Sequence, residues 1–196
     1  RSPSRGLGDV YKRQVTMLTP RKQAPALQVR TLTEEPFILE AERPERFTLI
    51  SFYRGLHCPI CANYLKDLER LTPSFAERGV ATIAVSSDNL ERAQLMSEKI
   101  GARNLRIGWG LSLEVARTWG LYLSRGRGKT SIGIEEPALF SEPGVFLIRP
   151  DNSIYFLSIQ SMPFVRPRFD EMIQALDFVI KNDYPGRGEY LSLIHI

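Results

Sequence analysis

Two cysteines, Cys58 and Cys61, are the residues whose type and spacing point most directly to chemistry. In Cys-Pro-Ile-Cys at the start of a helix, their Cα atoms would lie roughly 5 to 6 Å apart, close enough for a disulfide. A thiolate there faces unpaired backbone N–H groups and the positive end of the helix dipole. Its pKa can therefore fall from about 8.5 to between roughly 3.5 and 7.5. The spacing predicts a redox pair in which one sulfur attacks and the other resolves.

Two other interpretations of the pair are half of a zinc site and inert buried thiols. Structural zinc usually takes four Cys or His ligands. The domain-like part of this sequence offers only the two cysteines and the adjoining His57. Inert cysteines lie in apolar surroundings, whereas a helix start favours a reactive thiolate. We therefore favour the redox pair, whose chemistry needs no metal and no organic cofactor.

The elements that must position the pair form a β-α-β unit. A strand is predicted over Phe47–Tyr53, a run rich in aromatic and β-branched residues that ends before Gly55. Apolar residues then recur at helical spacing from Pro59 to Gly79, and Pro is favourable in the first helical turn. Val80–Val85 is predicted to be a second buried strand, parallel to the first. The cysteines thus fall where the first strand gives way to the helix.

The rest of the chain supplies further helices and a hairpin. Asp88 and Glu91 have the spacing of a capping box, with Asp88 as the cap of a helix that runs to Ile100. The other predicted elements are a helix over Ser112–Trp119, an irregular segment over Tyr122–Glu142, hairpin strands over Val145–Arg149 and Ile154–Ser158, and a closing amphipathic helix starting near Pro167. This order predicts an α/β protein with a thioredoxin-like fold, a central mixed β-sheet flanked by helices, in one domain over residues 15–190.

Both ends look foreign to that domain. Residues 1–14 and 191–196 resemble the translation of opposite strands of a transposase-type sequencing adapter, and we interpret them as adapter-derived and non-native. The chain has 26 Lys and Arg against 22 Asp and Glu, but the leading segment carries four of the basic residues and one acidic residue. The remainder has a net charge of +1, so charge gives no argument for nucleic acid or a membrane surface.

Composition also bounds the class of protein. With 43% hydrophobic residues and 24% charged residues, the chain has the composition of a soluble globular domain. No run reaches the roughly 18 to 20 apolar residues that a membrane-spanning helix needs, so we predict no membrane span. Met17 leads directly into domain-like sequence, and we expect a cytoplasmic protein.

Two segments resemble a known family. Phe52–Cys61, Phe-Tyr-Arg-Gly-Leu-His-Cys-Pro-Ile-Cys, resembles the peroxiredoxin-like branch of the alkyl hydroperoxide reductase and thiol-specific antioxidant (AhpC/TSA) family, within the thioredoxin superfamily. Glu142–Asp151 is similar to that family's Pro-x-x-Phe strand and Pro-Asp turn. The resemblance spans roughly residues 18–189.

The resemblance implies an antioxidant oxidoreductase that reduces peroxides. Its partners would be a peroxide substrate and an external dithiol reductant such as a thioredoxin-like protein, and a homodimer is compatible with it. Pro143 matches the position at which thioredoxin-like folds carry a cis proline facing the redox pair, and we expect a cis peptide bond there.

The first motif departs from the family pattern, and the departure leaves the attacking sulfur open. Aligned on Phe-Tyr, Arg54 takes the place of the family's Pro, Cys58 that of its Thr, and Cys61 that of the peroxidatic cysteine. This alignment predicts attack on peroxide by Cys61. Thioredoxins instead attack with the first cysteine, here Cys58, which is usually the more accessible of such a pair.

Two neighbours of the pair are candidate supporting residues. Arg54 could stabilise a thiolate or polarise a peroxide oxygen. Its alternative is an exposed arginine at a strand end. His57 could transfer protons with a pKa near neutrality or merely cover the disulfide.

Two other functions remain open at this point. One is a thioredoxin-like protein disulfide reductase in which Cys58 attacks and Cys61 resolves. The other is a binding module that has lost catalysis.

Overall fold

The computed structural model describes residues 17–190. The predicted adapter-derived ends, residues 1–14 and 191–196, lie outside the described residues. In chain order the elements are β1 (Gln28–Thr31), β2 (Phe37–Ile38), a 3-10 turn (Leu39–Ala41), β3 (Phe47–Phe52), α1 (Pro59–Ala76), β4 (Val80–Val85), α2 (Leu90–Ile100), β5 (Arg106–Trp109), α3 (Leu113–Thr118), β6 (Leu123–Arg125), β7 (Leu139–Ser141), β8 (Gly144–Ile148), β9 (Ile154–Ile159) and α4 (Phe169–Asn182).

Seven strands form one mixed sheet in the order β2-β1-β5-β4-β3-β8-β9. β3, β4 and β5 are parallel neighbours, while β8 pairs antiparallel with β3, and β1 pairs antiparallel with β5. The predicted parallel pair and the predicted hairpin, here β8 and β9, are both confirmed. The expectation of a mixed sheet flanked by helices is therefore confirmed as well.

Helices cover both faces of the sheet, so neither side of β3 is exposed to solvent. Side chains alternate between the faces of a strand, and all six residues of β3 are buried. Leu49 packs in a core with Leu65 of α1 and Leu176 of α4. Ile50 packs in a second core on the opposite face, with Trp119. A strand buried on both faces reads as a continuous apolar run, which is the signal that predicted it.

The helix α2 begins differently from the sequence prediction. Asp88 is not its cap: the N-cap is Asn89, whose side chain accepts a hydrogen bond of 3.0 Å from the backbone N–H of Arg92. Asp88 is 3% exposed and accepts hydrogen bonds from Leu56 and Arg92 instead. A buried carboxylate must be paired, and this requirement overrides the capping pattern.

The segment predicted to be irregular, Tyr122–Glu142, contains a small hairpin. β6 and β7 pair antiparallel and form a two-stranded sheet of their own. Their connection returns to the main fold through Arg54, which contacts Glu136. Within residues 17–190, each helix is too short or too polar to span a lipid bilayer.

Candidate active site

The loop between β3 and α1 places both cysteines at the start of α1. Cys58 is the N-cap residue of this helix, and Pro59 occupies its first turn. The backbone N–H of Cys61 donates a hydrogen bond of 3.2 Å to the Sγ atom of Cys58. This is the bond that a capping side chain normally accepts, made here by a sulfur. Both cysteines are free and buried.

The two thiols differ sharply in acidity. The pKa of Cys58 is lowered from 9.0 to about 6, chiefly by a hydrogen bond from the thiol of Cys61. The backbone N–H of Cys61 and the charges of Arg166 and Arg54 act in the same direction, against the effect of burial. Burial raises the pKa of Cys61 well above its usual value, and the hydrogen bond to Cys58 adds to the rise. Both shifts favour a thiolate at Cys58 over one at Cys61.

An arginine that the sequence did not single out contacts the second cysteine. The guanidinium of Arg166 donates a hydrogen bond of 3.0 Å from Nη2 to the Sγ atom of Cys61. Its carbon lies 4.8 Å from the centre of the Tyr64 ring. Tyr64 also donates from its hydroxyl to the carbonyl of Pro167, at 2.6 Å. A side chain from α1 thus holds the segment before α4 against the cysteine pair.

Arg54 lies near the pair but faces carboxylates. Its Nη2 donates to Oε1 of Glu136 at 3.2 Å, and its Nε lies 3.6 Å from Oε2 of Glu142. Its guanidinium carbon is 4.5 Å from the centre of the Phe140 ring. Arg54 is therefore not an exposed arginine at a strand end. Its charge is the smallest of the influences that lower the pKa of Cys58.

His57 does not have the near-neutral pKa expected of a proton-transfer group. It is fully buried, with its ring centre 4.7 Å from that of Phe140. Burial first, and then the charges of Arg54 and Arg92, lower its pKa from 6.5 to about 4. Arg92 lies 3.3 Å from its Nδ1, and because a guanidinium can only donate, Nδ1 accepts. His57 is therefore a neutral ring with its proton on Nε2.

Pro143 is not a cis proline, because no cis peptide bond occurs within residues 17–190. The backbone on both sides is already paired: the N–H of Glu142 donates to Tyr122, and the carbonyl of Pro143 accepts from Gln160. The trans form, which X–Pro bonds favour by about 0.5 to 1 kcal/mol, suits these bonds. Pro143 directly precedes Gly144, which pairs with Phe52 at the end of β3 that leads to the cysteines.

The buried carboxylate of Asp88, just beyond the end of β4, binds the loop between β3 and α1. Oδ2 of Asp88 accepts from the backbone N–H of Leu56 at 2.7 Å, and Oδ1 accepts from Nε of Arg92 at 2.9 Å. Burial raises the pKa of Asp88, while these two donors oppose the rise. Gly55 lies against the same carboxylate with φ at 135°, a region that favours glycine. The Asp88–Arg92 pair thus fixes both the loop backbone and the His57 ring.

Sequence reasoning found Cys58, Cys61, Arg54 and His57, which the structure brings together. It missed Arg166, Tyr64 and the bracing role of Asp88. Arg166 lies 105 residues beyond Cys61, and no local pattern marks it. The only available signal was an arginine before Pro167 at the start of the last helix.

Comparison with known proteins gives one family match and several structures of similar fold. The family model described as AhpC/TSA matches residues 20–157. No curated protein matches the chain. Among solved structures, a mutant of peroxiredoxin 6 of Arenicola marina is similar, with a TM-score of 0.66, 20% identity, and coverage of 82% of this chain and 73% of that one.

Two further solved structures resemble the chain over most of their length. Mycobacterium tuberculosis AhpC gives a TM-score of 0.62 at 16% identity, covering 84% of this chain and 99% of that one. Reduced 2-Cys peroxiredoxin of Plasmodium vivax gives 0.68 at 14% identity, covering 89% and 90%. At these identities the likeness is one of fold, and it confirms the predicted thioredoxin-like arrangement.

Proposed function

Because the chain belongs to the AhpC/TSA family of thiol peroxidases, we propose that it reduces peroxides through Cys58 and Cys61. The observation that carries the proposal is the unequal acidity of the pair. Cys58 has a pKa lowered to about 6 at the start of α1, where its sulfur accepts from the backbone N–H of Cys61, and burial raises the pKa of the Cys61 thiol one helical turn away. This arrangement provides a nucleophile and a resolving group without a cofactor.

The first step is attack by the Cys58 thiolate on the peroxide O–O bond. A new S–O bond forms and the O–O bond breaks, so the sulfur is oxidised to a sulfenic acid. The departing oxygen takes a proton and leaves as water or an alcohol. In the second step the Cys61 sulfur attacks the sulfenic sulfur, the S–O bond breaks, and water leaves. An external dithiol then reduces the disulfide by thiol-disulfide exchange.

Attack by Cys58 reverses the assignment that the family alignment favours. Four groups stabilise a thiolate at Cys58: the Cys61 thiol, the Cys61 backbone N–H, and the charges of Arg166 and Arg54. Burial disfavours the same charge at Cys61. Because the thiolate is the nucleophile, the position with the lower pKa is the better attacking sulfur. These observations support Cys58 as the first nucleophile and Cys61 as the resolving cysteine.

Sulfenic acid trapping tests the order of the two sulfurs. In peroxide-treated Cys61→Ser protein, the trapped adduct should accumulate on Cys58. In Cys58→Ser protein, little adduct should form. Rapid adduct formation on Cys61 in the latter variant would contradict the assignment and restore the family alignment.

Turnover tests the peroxidase function itself. Peroxide-dependent oxidation of a dithiol should be lost in the Cys58→Ser variant. The Ser87→Ala variant, altered beyond the end of β4, should retain it as a matched control. Unchanged turnover in both single cysteine variants would overturn the proposal.

A protein disulfide reductase is the second candidate, and the low pKa of the first cysteine favours it. Thioredoxin-like enzymes attack with the first cysteine of the pair, which is Cys58 here. However, Cys58 is 2% exposed, and a protein disulfide needs more room than a small peroxide. Stopped-flow rates with hydrogen peroxide and with a model protein disulfide separate the two enzymes. Negligible rates with both would favour a binding module.

A further inference from the structure

Arg166 is held against Cys61 by contacts to its guanidinium plane and to the backbone of the next residue, Pro167. Nη2 donates to the Cys61 Sγ atom at 3.0 Å. The guanidinium stacks on Tyr64, whose hydroxyl also binds the carbonyl of Pro167. A contact built from a stacked ring and an anchored loop is preorganised, so little freedom is lost when the guanidinium binds charge.

Arg166 differs from the other arginines around the site in having no carboxylate. Arg54 forms ion pairs with Glu136 and Glu142, and Arg92 forms one with Asp88. Within residues 17–190, Arg166 has no ion pair, and its Nε and Nη1 atoms are buried without an acceptor. Its positive charge is therefore uncompensated where it meets the cysteine sulfur.

The resolving step poses an electrostatic problem that this charge can solve. Cys61 must lose its proton to attack, yet burial and its hydrogen bond to Cys58 raise its pKa. Oxidation of Cys58 removes the effect of its negative charge on Cys61, because a sulfenic acid is neutral. Burial then remains as the opposing effect, and Arg166 is the charged group in contact with Cys61. A nearby opposite charge lowers a pKa by about 1 to 3 units.

We propose that Arg166 is a catalytic residue of the resolving step, in which it stabilises the Cys61 thiolate that attacks Cys58. The S–S bond forms as the S–O bond of the sulfenic acid breaks, and the oxygen leaves as water with the proton released by Cys61. When an external dithiol reduces the disulfide, it attacks Cys58, and Cys61 departs as a thiolate next to the same guanidinium. This inference rests on the proposed function, in which Cys58 attacks first.

The test compares Arg166→Gln with Arg168→Gln. Arg168 is exposed, lies two residues away and pairs with Asp170 and Glu171. Loss of the Arg166 charge should raise the pKa of Cys61 by about 1 to 3 units, while the more basic thiolate regains about half of that in nucleophilicity. The rate from sulfenic acid to disulfide should therefore fall about 3- to 30-fold near neutral pH. Arg168→Gln should match the wild type.

The pH profile separates a catalytic role from a structural one. In Arg166→Gln the midpoint of the resolving rate should move to higher pH, and Arg166→Lys, which keeps the charge, should restore part of the rate. Variants are compared only after circular dichroism and denaturant unfolding show the wild-type fold. Resolving rates equal to the wild type would overturn the inference. So would a defect confined to the peroxide step, because the resolving step would then not depend on the Arg166 charge.

A second measurement makes the inference independent of peroxide. Dithiobis(nitrobenzoate) forms a mixed disulfide with Cys58, and release of the second aromatic thiolate then reports attack by Cys61. Arg166→Gln should slow the second release and leave the first within about threefold of the wild type. If the wild type fails with peroxide but shows this pattern, the peroxidase proposal is wrong and the role of Arg166 stands. If the second release is unchanged, the role of Arg166 is wrong.

Discussion

The sulfur of Cys58 owes its acidity first to the thiol of its partner. A hydrogen bond to a charged acceptor contributes about 1.5 to 3 kcal/mol, and one pKa unit corresponds to about 1.4 kcal/mol. Cys61→Ala removes this donor and leaves the backbone N–H in place. The pKa of Cys58 should therefore rise from about 6 by about one to two units. Titration of the thiolate ultraviolet absorbance measures the change.

Cys61→Ser serves as the control, because its hydroxyl can still donate to the Cys58 sulfur. The pKa of Cys58 in Cys61→Ser should lie closer to the wild-type value than the pKa of Cys58 in Cys61→Ala. Equal pKa values in the wild type and in Cys61→Ala would show that the Cys61 thiol does not set the acidity.

Individual residues show how far sequence patterns reach. Cys58 and Cys61 were predictable because their chemistry depends on a spacing within one helical turn. Arg166 was not, because its contact with Cys61 is made by the fold and spans 105 residues. Of the two roles that the sequence left open for His57, proton transfer with a near-neutral pKa is contradicted, since burial, Arg54 and Arg92 lower the pKa to about 4. Arg54 lies in the same motif, but the burial and the contact with Arg92 depend on the fold.

At the scale of the elements, the loop between β3 and α1 depends on glycine at position 55. A Cβ atom on Gly55 would lie 2.7 Å from Oδ1 of Asp88, and its φ of 135° strains any other residue. Gly55→Ala should therefore lower the free energy of unfolding by about 1 to 3 kcal/mol. Denaturant unfolding with an unchanged slope would measure the loss.

The control variant Gly101→Ala separates the cost of the positive φ from the cost of the contact with Asp88. Gly101 also has a positive φ, of 67°, but nothing lies within 4 Å of its Cβ position. This control should cost only the backbone strain, about 1 kcal/mol. A loss at Gly55 no greater than at Gly101 would mean that Asp88 moves aside freely.

Glu136 attaches the connection between β6 and β7 to Arg54, in the loop that leads to the cysteines. This carboxylate accepts from Arg54 at 3.2 Å and from the backbone N–H of Arg127 at 2.7 Å. Glu136→Gln weakens both charge-assisted bonds. Alkylation of Cys58 at about pH 8, where its thiolate is formed, should accelerate several-fold because the loop opens more often.

Glu135→Gln is the matched control, since that side chain is exposed and only its backbone carbonyl binds Arg92. Its alkylation rate should equal that of the wild type. A slower or unchanged rate in Glu136→Gln would show that the connection does not limit access to Cys58.

Elements with strong periodic signals were predictable, and short ones were not. β3, β4 and α1 follow from runs that bury apolar side chains on one or both faces. β1, β2 and β5 were missed because strands of four, two and four residues carry too little pattern to distinguish them from connections. The expected cis bond at Pro143 failed for a related reason: partners distant in sequence set the backbone there.

At the scale of the whole molecule, the buried histidine couples folding to pH. The unfolded chain binds a proton at His57 near pH 6.5, whereas the folded chain does so near pH 4. Between these values the unfolded state holds more protons, so the free energy of unfolding must decrease as the pH falls. The loss from this group amounts to about 3 kcal/mol.

Denaturant unfolding across this pH range measures the effect, with Cys58→Ser as the background so that thiol titration does not contribute. His57→Gln in the same background should lose about 3 kcal/mol less between about pH 6.5 and pH 4. Parallel curves for the two proteins would mean that the folded chain accepts a proton at His57 without cost.

The hydrogen bonds to the Cys58 sulfur also bear on how readily the oxidised protein gives up its disulfide. Near pH 7, a thiol with a pKa of about 6 is largely ionised, and this stabilises the reduced form by on the order of 1 kcal/mol relative to an ordinary thiol. The disulfide has no anion to receive those bonds. For a two-electron couple, the difference makes the midpoint potential roughly 20 to 30 mV less negative. The hydrogen bonds that activate the nucleophile, first among them that of the Cys61 thiol, therefore also ease its regeneration by an external dithiol.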